Sequence, residues 1–311
     1  MAAAYWVIVR LALLLLLWLP ALAPGAVVPA RFAPGDALLI VAPHPDDEAL
    51  CCAGAIQRAR AAGARVAIVW LTSGDAFELD AMVVGRTPHP GKRGLERLAI
   101  RRMAEAKVAA GRLGVQKEDV FFLGYPDRGL SRLLTDYYHR SYRSRYTGAD
   151  SVPYGDALAP GAAYQGQNLE RDLLAVIGAV QPTLVLAPTP LDAHPDHRAA
   201  GELASRVLSA RGEPDRAAWW IVHVSHHEPF RHRWPTPRGL HPELPLDPPP
   251  RAALAWQVWP MDAAEERGKE QAIRAHHTQM EVMAPFLLAF VRRNELYARE
   301  PLPEEPELPA P

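Results

Sequence analysis

The chain has 311 residues, 34 basic and 35 acidic side chains, and a formal net charge of -1. It is long enough for one large domain, because single hydrophobic cores stop growing at roughly 250 to 300 residues. A charge so close to zero gives no field that would favour a nucleic acid, so we expect no nucleic-acid partner.

The first thirty residues have the composition of a targeting segment. Residues 5–19 are almost wholly apolar, interrupted only by Arg10, and residues 21–26 are mostly small. An export signal has an apolar stretch of about 7 to 15 residues before a small-x-small cleavage site, whereas an uncleaved anchor needs about 20 apolar residues. We therefore expect residues 1–30 to be a signal peptide or a membrane anchor, so that the protein is exported or held at a membrane. The tail, residues 300–311, is rich in Pro and Glu and is expected to be disordered.

Short apolar runs alternate with longer amphipathic segments from residue 31 to residue 299. This alternation predicts an α/β fold of one domain, Rossmann-like, with a mainly parallel sheet and helices on both faces. The predicted strands are residues 37–42, 66–71, 120–123, 184–187 and 219–224. The predicted helices are residues 47–62, 94–113, 169–180, 198–208, 262–277 and 282–297. Asp46 is predicted to cap the first helix.

Cys51 and Cys52 are the only cysteines, and they are adjacent. Neighbouring cysteines rarely reach the geometry that a disulfide requires. We therefore expect two separate, small, buried helix side chains.

Two short motifs follow predicted strands. His44-Pro45-Asp46-Asp47-Glu48 comes directly after the first strand, and His194-Pro195-Asp196-His197 follows the strand at residues 184–187. In open α/β sheets, ligands bind at the carboxyl ends of the strands where the strand order reverses. Either motif alone could be only an Asp capping a helix at a turn, but both together predict one site.

A catalytic zinc ion is held by three His or carboxylate ligands and keeps a fourth position open. His44, Asp47 and His197 supply that set. Zinc lowers the pKa of a bound water to about 7 and polarises a carbonyl oxygen, but a carboxylate must still accept the proton. Asp46 is the candidate base, and the macrodipole at the start of a helix favours its ionised form. Iron or cobalt can occupy a similar site of nitrogen and oxygen ligands.

The motifs resemble those of the LmbE-like or PIG-L family of zinc-dependent N-acetylglucosamine deacetylases. The resemblance covers roughly residues 38–279. Weaker matches accompany the two motifs: Thr72-Ser73-Gly74, Arg102-x-x-Glu105, Leu113-Gly114-Val115, residues 122–127 and residues 269–279.

The resemblance implies an enzyme that removes an N-acetyl group from an N-acetylglucosamine-containing substrate by attack of metal-bound water. It implies that His44, Asp47 and His197 bind zinc and that Asp46 is the general base. His194 is implied to assist the tetrahedral intermediate or the leaving amine, as a second positive group if it is protonated.

Other residues are assigned with alternatives open. Asp196 orients a histidine or caps the following helix, and Asp192 either supports the site or is a plain turn residue. Arg102 and Asp127 match family positions that contact the sugar, with structural pairing as the alternative. His276 and Gln279 are expected to close the C-terminal helix onto the sheet, and the spacing of His223, His226 and His227 fits a strand edge rather than a second metal site.

Residues 137–168 break the alternation and are rich in Tyr, Gly, Arg and Pro. A loop this long in a compact domain is usually functional. Tyr142 and Tyr146, with Tyr154 and Tyr164, are therefore candidates to cover the apolar faces of a sugar. The alternative is a surface loop that folds on its own aromatic side chains.

Two further functions use the same residues. One keeps the metal site and changes the substrate to another N-acyl compound, a peptide or an ester. The other is a non-catalytic carbohydrate-binding protein, against which Asp46 argues, because a binding module has no use for a general base.

Overall fold

A computed structural model describes residues 27–29, 31–224, 234–236, 245–249 and 254–299. The predictions for residues 1–26, for the tail at 300–311 and for His226 and His227 lie outside these ranges. Within the described ranges, no helix combines the length and the apolar character needed to cross a membrane. Val27 and Val28 are buried, and the Val27 amide donates to Gln257 Oε1 at 2.8 Å.

Five parallel strands form the central sheet in the order β3-β2-β1-β4-β5. They are β1 (Ala37–Ala42), β2 (Arg65–Thr72), β3 (Val120–Tyr125), β4 (Leu184–Pro188) and β5 (Ala217–Trp220). All six residues of β1 are buried, as expected for a central strand covered on both faces. The strand order reverses between β1 and β4, which are neighbours. This order and the parallel pairing confirm the predicted Rossmann-like α/β fold.

Eight helices connect and flank the strands in the described ranges. They are α1 (Asp47–Ala61), α2 (Glu78–Gly85), α3 (Gly91–Arg112), α4 (Leu130–Leu134), α5 (Gly166–Val180), α6 (Pro195–Ala210), α7 (Ala263–Ala275) and α8 (His277–Leu288). Because parallel crossovers are right-handed, α1 and α3 lie on one face of the sheet and α5 and α6 on the other. Helix α7 packs on α1 and α3.

Helix α6 lies unusually close to strand β4. A Cβ at Gly201 would overlap the carbonyl oxygen of Pro188, so only glycine permits this approach. The short distance fixes the start of α6, and with it the second motif, above the end of β4.

The C-terminal part differs from the prediction. Residues 282–297 are not one helix: α8 ends at Leu288, and Asn294–Tyr297 is strand β7, paired antiparallel with β6 (Gln257–Pro260). The helix was predicted too far because the apolar run at residues 286–291 continues past Leu288, where α8 ends, and so gives no sign of that end. The pairing that makes β7 a strand is non-local.

Cys51 and Cys52 are joined by a disulfide, which corrects the expectation of two separate thiols. Both are buried in α1, as expected. Adjacent cysteines rarely have the geometry for a disulfide, but Cys51 and Cys52 form one in this helix.

The segment between α4 and α5 is irregular, as predicted, but internally ordered by backbone hydrogen bonds. Tyr142 donates to Tyr164 at 2.9 Å, and Ser144 donates to Ala149 at 2.8 Å. Ser151 and Ala163 form an antiparallel bridge. Tyr154 and Tyr164 are buried in the core. We call residues 135–165 the insertion.

Candidate metal and active site

The two motifs meet at the point where the strand order reverses. The ring centroids of His44 and His194 lie 4.8 Å apart, and those of His44 and His197 lie 5.3 Å apart. Both motifs follow carboxyl ends of adjacent strands, β1 and β4, which is why residues so distant in the sequence converge.

His197 is fully buried and has one partnered and one unpartnered ring nitrogen. Its Nδ1 lies 3.2 Å from Asp192 Oδ2, whereas Nε2 has no hydrogen-bond partner. That Nε2 lies 3.4 Å from Asp47 Oδ1. A buried polar atom without a partner is costly, and a metal-ligating histidine characteristically holds a carboxylate with its other nitrogen.

Asp47 lies between the two histidines. Its Oδ2 is 3.5 Å from His44 Nδ1 and accepts the His44 backbone amide at 2.8 Å. Although burial raises the pKa of Asp47, His197 and His44 lower it to about 2. Asp47 is therefore ionised, as a metal ligand must be.

The contacts of Asp47 with the two histidines have lengths that suit a bound metal ion. Ligand atoms about 2.1 Å from a tetrahedral ion lie about 3.4 Å from one another, and Asp47 reaches His44 with Oδ2 at 3.5 Å and His197 with its other oxygen, Oδ1, at 3.4 Å. Among the described residues, two triplets have one possible ligand atom each within 4.8 Å of the others: His44 with His194 and His197, and His44 with Asp127 and Asp196; the predicted set with Asp47 is not one of them. His44 is common to every set and is the centre of the cluster.

Asp46 lies beside this cluster and is buried. Asp46 occupies the N-cap position of α1, as predicted, but its φ of 137° is a conformation that L residues rarely adopt and its side chain makes no capping hydrogen bond. Instead, Asp46 Oδ2 accepts from Gln279 Nε2 at 2.5 Å. Burial and the neighbouring Asp47 raise the pKa of Asp46 to about 7. The macrodipole of α1 was expected to keep Asp46 ionised, but with this pKa the carboxylate is only partly ionised near neutral pH.

His194 is neutral rather than positively charged. Burial and the neighbouring histidines lower its pKa to about 2, so the condition for a second positive group, a protonated ring, is not met. Its Nδ1 accepts the backbone amide of Asp196 at 3.2 Å. The ring proton is therefore assigned to Nε2, and His194 can donate one neutral hydrogen bond from that atom.

Two carboxylates face the other nitrogen of His44. Asp196 Oδ2 lies 3.3 Å and Asp127 Oδ1 3.4 Å from His44 Nε2. Asp196 also accepts the backbone amides of Arg128 and Leu130. Asp196 thus contacts His44, which agrees with the prediction that it orients a histidine. Although burial lowers the pKa of His44, the two carboxylates raise it well above its ordinary value, so His44 must release a proton when it binds a metal ion.

Arg102 lies beneath the loops of the site. Its guanidinium donates to the carbonyl oxygens of Gly74 at 2.9 Å and Pro45 at 3.2 Å, and the side chain is buried. These hydrogen bonds join two loops of the site, which is the structural alternative that the sequence left open for Arg102. Direct contact of Arg102, Asp127, Tyr142 or Tyr146 with a substrate stays a prediction.

His223 is part of the site, contrary to its assignment to a strand edge. Its ring centroid lies 4.8 Å from that of His197 and 5.3 Å from that of His194, and its amide donates to Asp192. Strand β5 ends at Trp220 rather than at residue 224, so His223 belongs to the loop at the ligand-binding edge. In the sequence, His223 directly follows an apolar run that ends at the carboxyl edge of the sheet, and this pattern could have placed it in the site.

His276 and Gln279 do close the C-terminal helices onto the domain, but onto the first motif rather than the sheet alone. His276 Nε2 lies 2.8 Å from Glu48 Oε1, and Glu48 in turn accepts the Asp46 amide. Residues near the end of the chain therefore position the residue predicted to be the base.

The fold and the cluster define an α/β protein with a buried His and Asp group able to hold a metal ion. A family model described as "PIG-L: GlcNAc-PI de-N-acetylase" matches residues 39–208, more than half of the chain. The chain belongs to this family.

Known proteins of similar sequence are deacetylases by name. The chain is 27% identical to the diacetylchitobiose deacetylase of Thermococcus kodakarensis, over 57% of this chain and 51%, about half, of that protein. It is 29% identical to the 1D-myo-inositol 2-acetamido-2-deoxy-alpha-D-glucopyranoside deacetylase of Actinosynnema mirum, over 79% of this chain and 81% of that protein.

A solved structure supports the fold. The pseudoaglycone deacetylase Dbv21 superposes with a TM-score of 0.54, at 18% identity, over 85% of this chain and 96% of that chain. At this identity the likeness concerns the arrangement of helices and strands.

Proposed function

We propose that this protein is a zinc-dependent hydrolase that removes the N-acetyl group of an N-acetylglucosamine-containing glycan. One observation carries the proposal: Asp47 bridges His44 and the unpartnered His197 Nε2, while Asp46 lies beside them with its carboxylate outside that set. Ligands and base are thus separate groups within one buried cluster. The names of the relatives supply the bond and the sugar.

The chain's own residues divide the chemistry. His44, Asp47 and His197 would hold zinc, which supplies Lewis-acid polarisation of a carbonyl and lowers the pKa of water. Asp46 accepts the proton of the attacking water at its carboxylate, and a pKa near neutrality suits a general base. Neutral His194 donates a hydrogen bond from Nε2 to the developing oxyanion, and the protonated Asp46 carboxyl returns its proton to the leaving nitrogen as the C–N bond breaks.

Surrounding groups hold this arrangement in place. Gln279 fixes the Asp46 carboxylate, and Asp192 fixes the His197 ring. Asp127 and Asp196 flank His44, and either can accept hydrogen bonds from sugar hydroxyls or orient the imidazole.

The experiment is acetate release from a panel of N-acetylhexosaminides, with metal analysis of the same preparation. We expect release from at least one N-acetylglucosamine compound and about one zinc per chain. Asp46→Asn should retain zinc and lose at least about a hundredfold in kcat. Stoichiometric zinc without acetate release from any member would favour another acyl substrate, and an Asp46→Asn variant with unchanged turnover would remove the assigned base.

We also propose that residues 1–30 direct export or membrane anchoring, on the strength of the apolar run at residues 5–19. Fractionation of cells that express the full chain, followed by N-terminal sequencing, tests this. Recovery of uncleaved chain from the cytosol would contradict it.

A further inference from the structure

Positive charge is concentrated beside the site although the chain as a whole is balanced. Residues 128–146 contain five arginines and a single acidic residue, Asp136, in a chain of 34 basic and 35 acidic residues. Two of these arginines are ion-paired, Arg132 with Asp136 and Arg143 with Asp150. Arg128, Arg140 and Arg145 are exposed and form no ion pair with any residue in the ranges that the structure covers.

These arginines alternate with tyrosine rings. Arg140 lies 4.7 Å from the ring centroid of Tyr137, whose ring contacts Tyr142 edge-on at 5.1 Å. Arg145 lies 4.7 Å from the ring of Tyr146 and donates to its hydroxyl at 2.6 Å. The three rings are half-buried, so each is held in place while part of it faces solvent. We call this surface the arginine–tyrosine ridge; its members are Arg128, Tyr137, Arg140, Tyr142, Arg145 and Tyr146.

The ridge begins beside His44. Asp196, which contacts His44, accepts the backbone amide of Arg128. Arg128 has a φ of 60°, a strained conformation for a residue with a side chain, which is kept only where surrounding contacts enforce it. From that position its guanidinium lies 5.9 Å from the Tyr146 ring. A molecule seated at His44 that extends outward over Arg128 therefore meets the ridge next.

The chemistry of the ridge selects its ligand. Guanidinium groups bind carboxylate and phosphate through paired hydrogen bonds, and aromatic faces cover the apolar faces of sugars. Partly fixed rings lose little conformational entropy on binding. We propose that the ridge is a subsite for the part of the substrate beyond the acetamido sugar, and that this part carries a carboxylate or phosphate group.

This inference rests on the proposed deacetylation for its substrate series. Three substrates separate the alternatives: neutral N,N'-diacetylchitobiose, a disaccharide of N-acetylglucosamine and glucuronic acid, and a phosphate ester of N,N'-diacetylchitobiose. We expect at least one anionic substrate to exceed the neutral one by about tenfold in kcat/KM, mostly through KM. The two anionic arms show whether carboxylate or phosphate is preferred. Raising the salt concentration should reduce the preference.

The variants isolate the charge. Arg140→Gln/Arg145→Gln should lose the preference for the anionic substrate and cleave the neutral one within about twofold of wild type. Arg140→Lys/Arg145→Lys keeps the charge and should keep most of the preference. Lys117→Gln/Arg211→Gln removes two exposed charges that precede β3 and β5, at the opposite edge of the sheet, and should change nothing.

Equal cleavage of neutral and anionic substrates by the wild type, or an unchanged preference in Arg140→Gln/Arg145→Gln, overturns the inference. Calorimetric binding of the glucuronic acid disaccharide and of the phosphate ester to Asp46→Asn, with and without the two Arg→Gln changes, separates it from the proposed function. Arginine-dependent binding without turnover by the wild type would refute deacetylation and leave the subsite. If the wild type shows no turnover and the binding does not depend on the arginines, both the proposed function and the subsite are overturned.

Discussion

Gln279 donates a hydrogen bond from Nε2 to Oδ2 of Asp46 at 2.5 Å across 233 residues of sequence. Both side chains are buried, and the other amide atom of Gln279, Oε1, has no partner. The bond therefore fixes one oxygen of the carboxylate that is proposed to accept the proton. Helix α8 thereby takes part in the site although its own sequence carries no metal ligand.

Gln279→Leu keeps the side-chain volume and removes the donor. We expect kcat to fall about tenfold, because one hydrogen bond to a charged group is worth about 1.5 to 3 kcal/mol, while KM stays within about twofold. Steady-state kinetics on the preferred substrate measures this. Thr278→Val is the matched control, since Thr278 donates to Glu105 rather than to Asp46. Equal loss in both variants would mean that general loosening of α8 is responsible.

Asp192 holds the histidine that is predicted to ligate the metal. Its Oδ2 lies 3.2 Å from His197 Nδ1 and accepts the amides of Val222 and His223, so it also ties the loop after β5 to the site. Contacts of this kind are worth about 10 to 100-fold in metal affinity. Asp192→Asn should weaken zinc binding by that factor in a chelator competition, whereas the exposed Asp215→Asn should not. Unchanged affinity would reduce Asp192 to a turn residue.

The sequence predicts the sheet well because its strands are buried. The continuous apolar run of β1 matches the predicted bounds at both ends. Helices α3 and α5 begin three residues earlier than predicted, at Gly91 and Gly166, since their first turns are polar and carry no apolar periodicity. Both motifs also lie where a parallel sheet must place them.

The parts that sequence reasoning missed depend on contacts between distant residues. Asp46 stands at the N-cap of α1 as predicted, but its carboxylate accepts a tertiary hydrogen bond from Gln279 instead of capping the helix. His223 leaves the sheet because the pairing of β5 with β4 ends at Trp220. Local sequence patterns contain neither contact. Chemical roles could therefore be assigned to the two motifs, but not to the residues that hold the motifs in place.

Tyr154 anchors the insertion to the site. Its hydroxyl donates to Asp75 Oδ2 at 2.7 Å, and Asp75 Oδ1 accepts the Asp127 amide at 3.0 Å. All three residues are buried. Tyr154→Phe leaves a buried carboxylate without that donor, so we expect the free energy of unfolding to fall by about 1 to 3 kcal/mol, measured by urea denaturation.

Tyr138→Phe provides the comparison for Tyr154→Phe. Tyr138 donates to Glu170 at 2.9 Å from a half-buried position, where water can replace the lost bond. A change of less than about 1 kcal/mol is expected there. If the two variants lose the same stability, the Tyr154 hydroxyl does not have the anchoring role assigned to it.

Asp80 on helix α2 is a buried carboxylate whose two oxygens have no hydrogen-bond partner. Burial raises its pKa from 3.8 to about 6, against the opposing effect of Arg102. Below pH 3.8 Asp80 is protonated in both the folded and the unfolded chain, so no buried charge destabilises the folded protein at that pH. As the pH rises towards 6 the unfolded chain releases this proton first, which favours unfolding. Asp80→Asn should therefore stabilise the protein at pH 8 by up to about 3 kcal/mol, since each pKa unit corresponds to about 1.4 kcal/mol, and the gain should shrink towards zero near pH 4.

Urea denaturation of wild type and Asp80→Asn at a series of pH values measures this difference directly. The difference between the two proteins matters rather than either curve, because other carboxylates titrate in both. Asp136→Asn is the control: Asp136 is about half exposed, at 53%, and pairs with Arg132 at the surface, so its replacement should give a small effect without that pH dependence. A gain from Asp80→Asn that is independent of pH would show that relief of packing, rather than of a buried charge, is its cause.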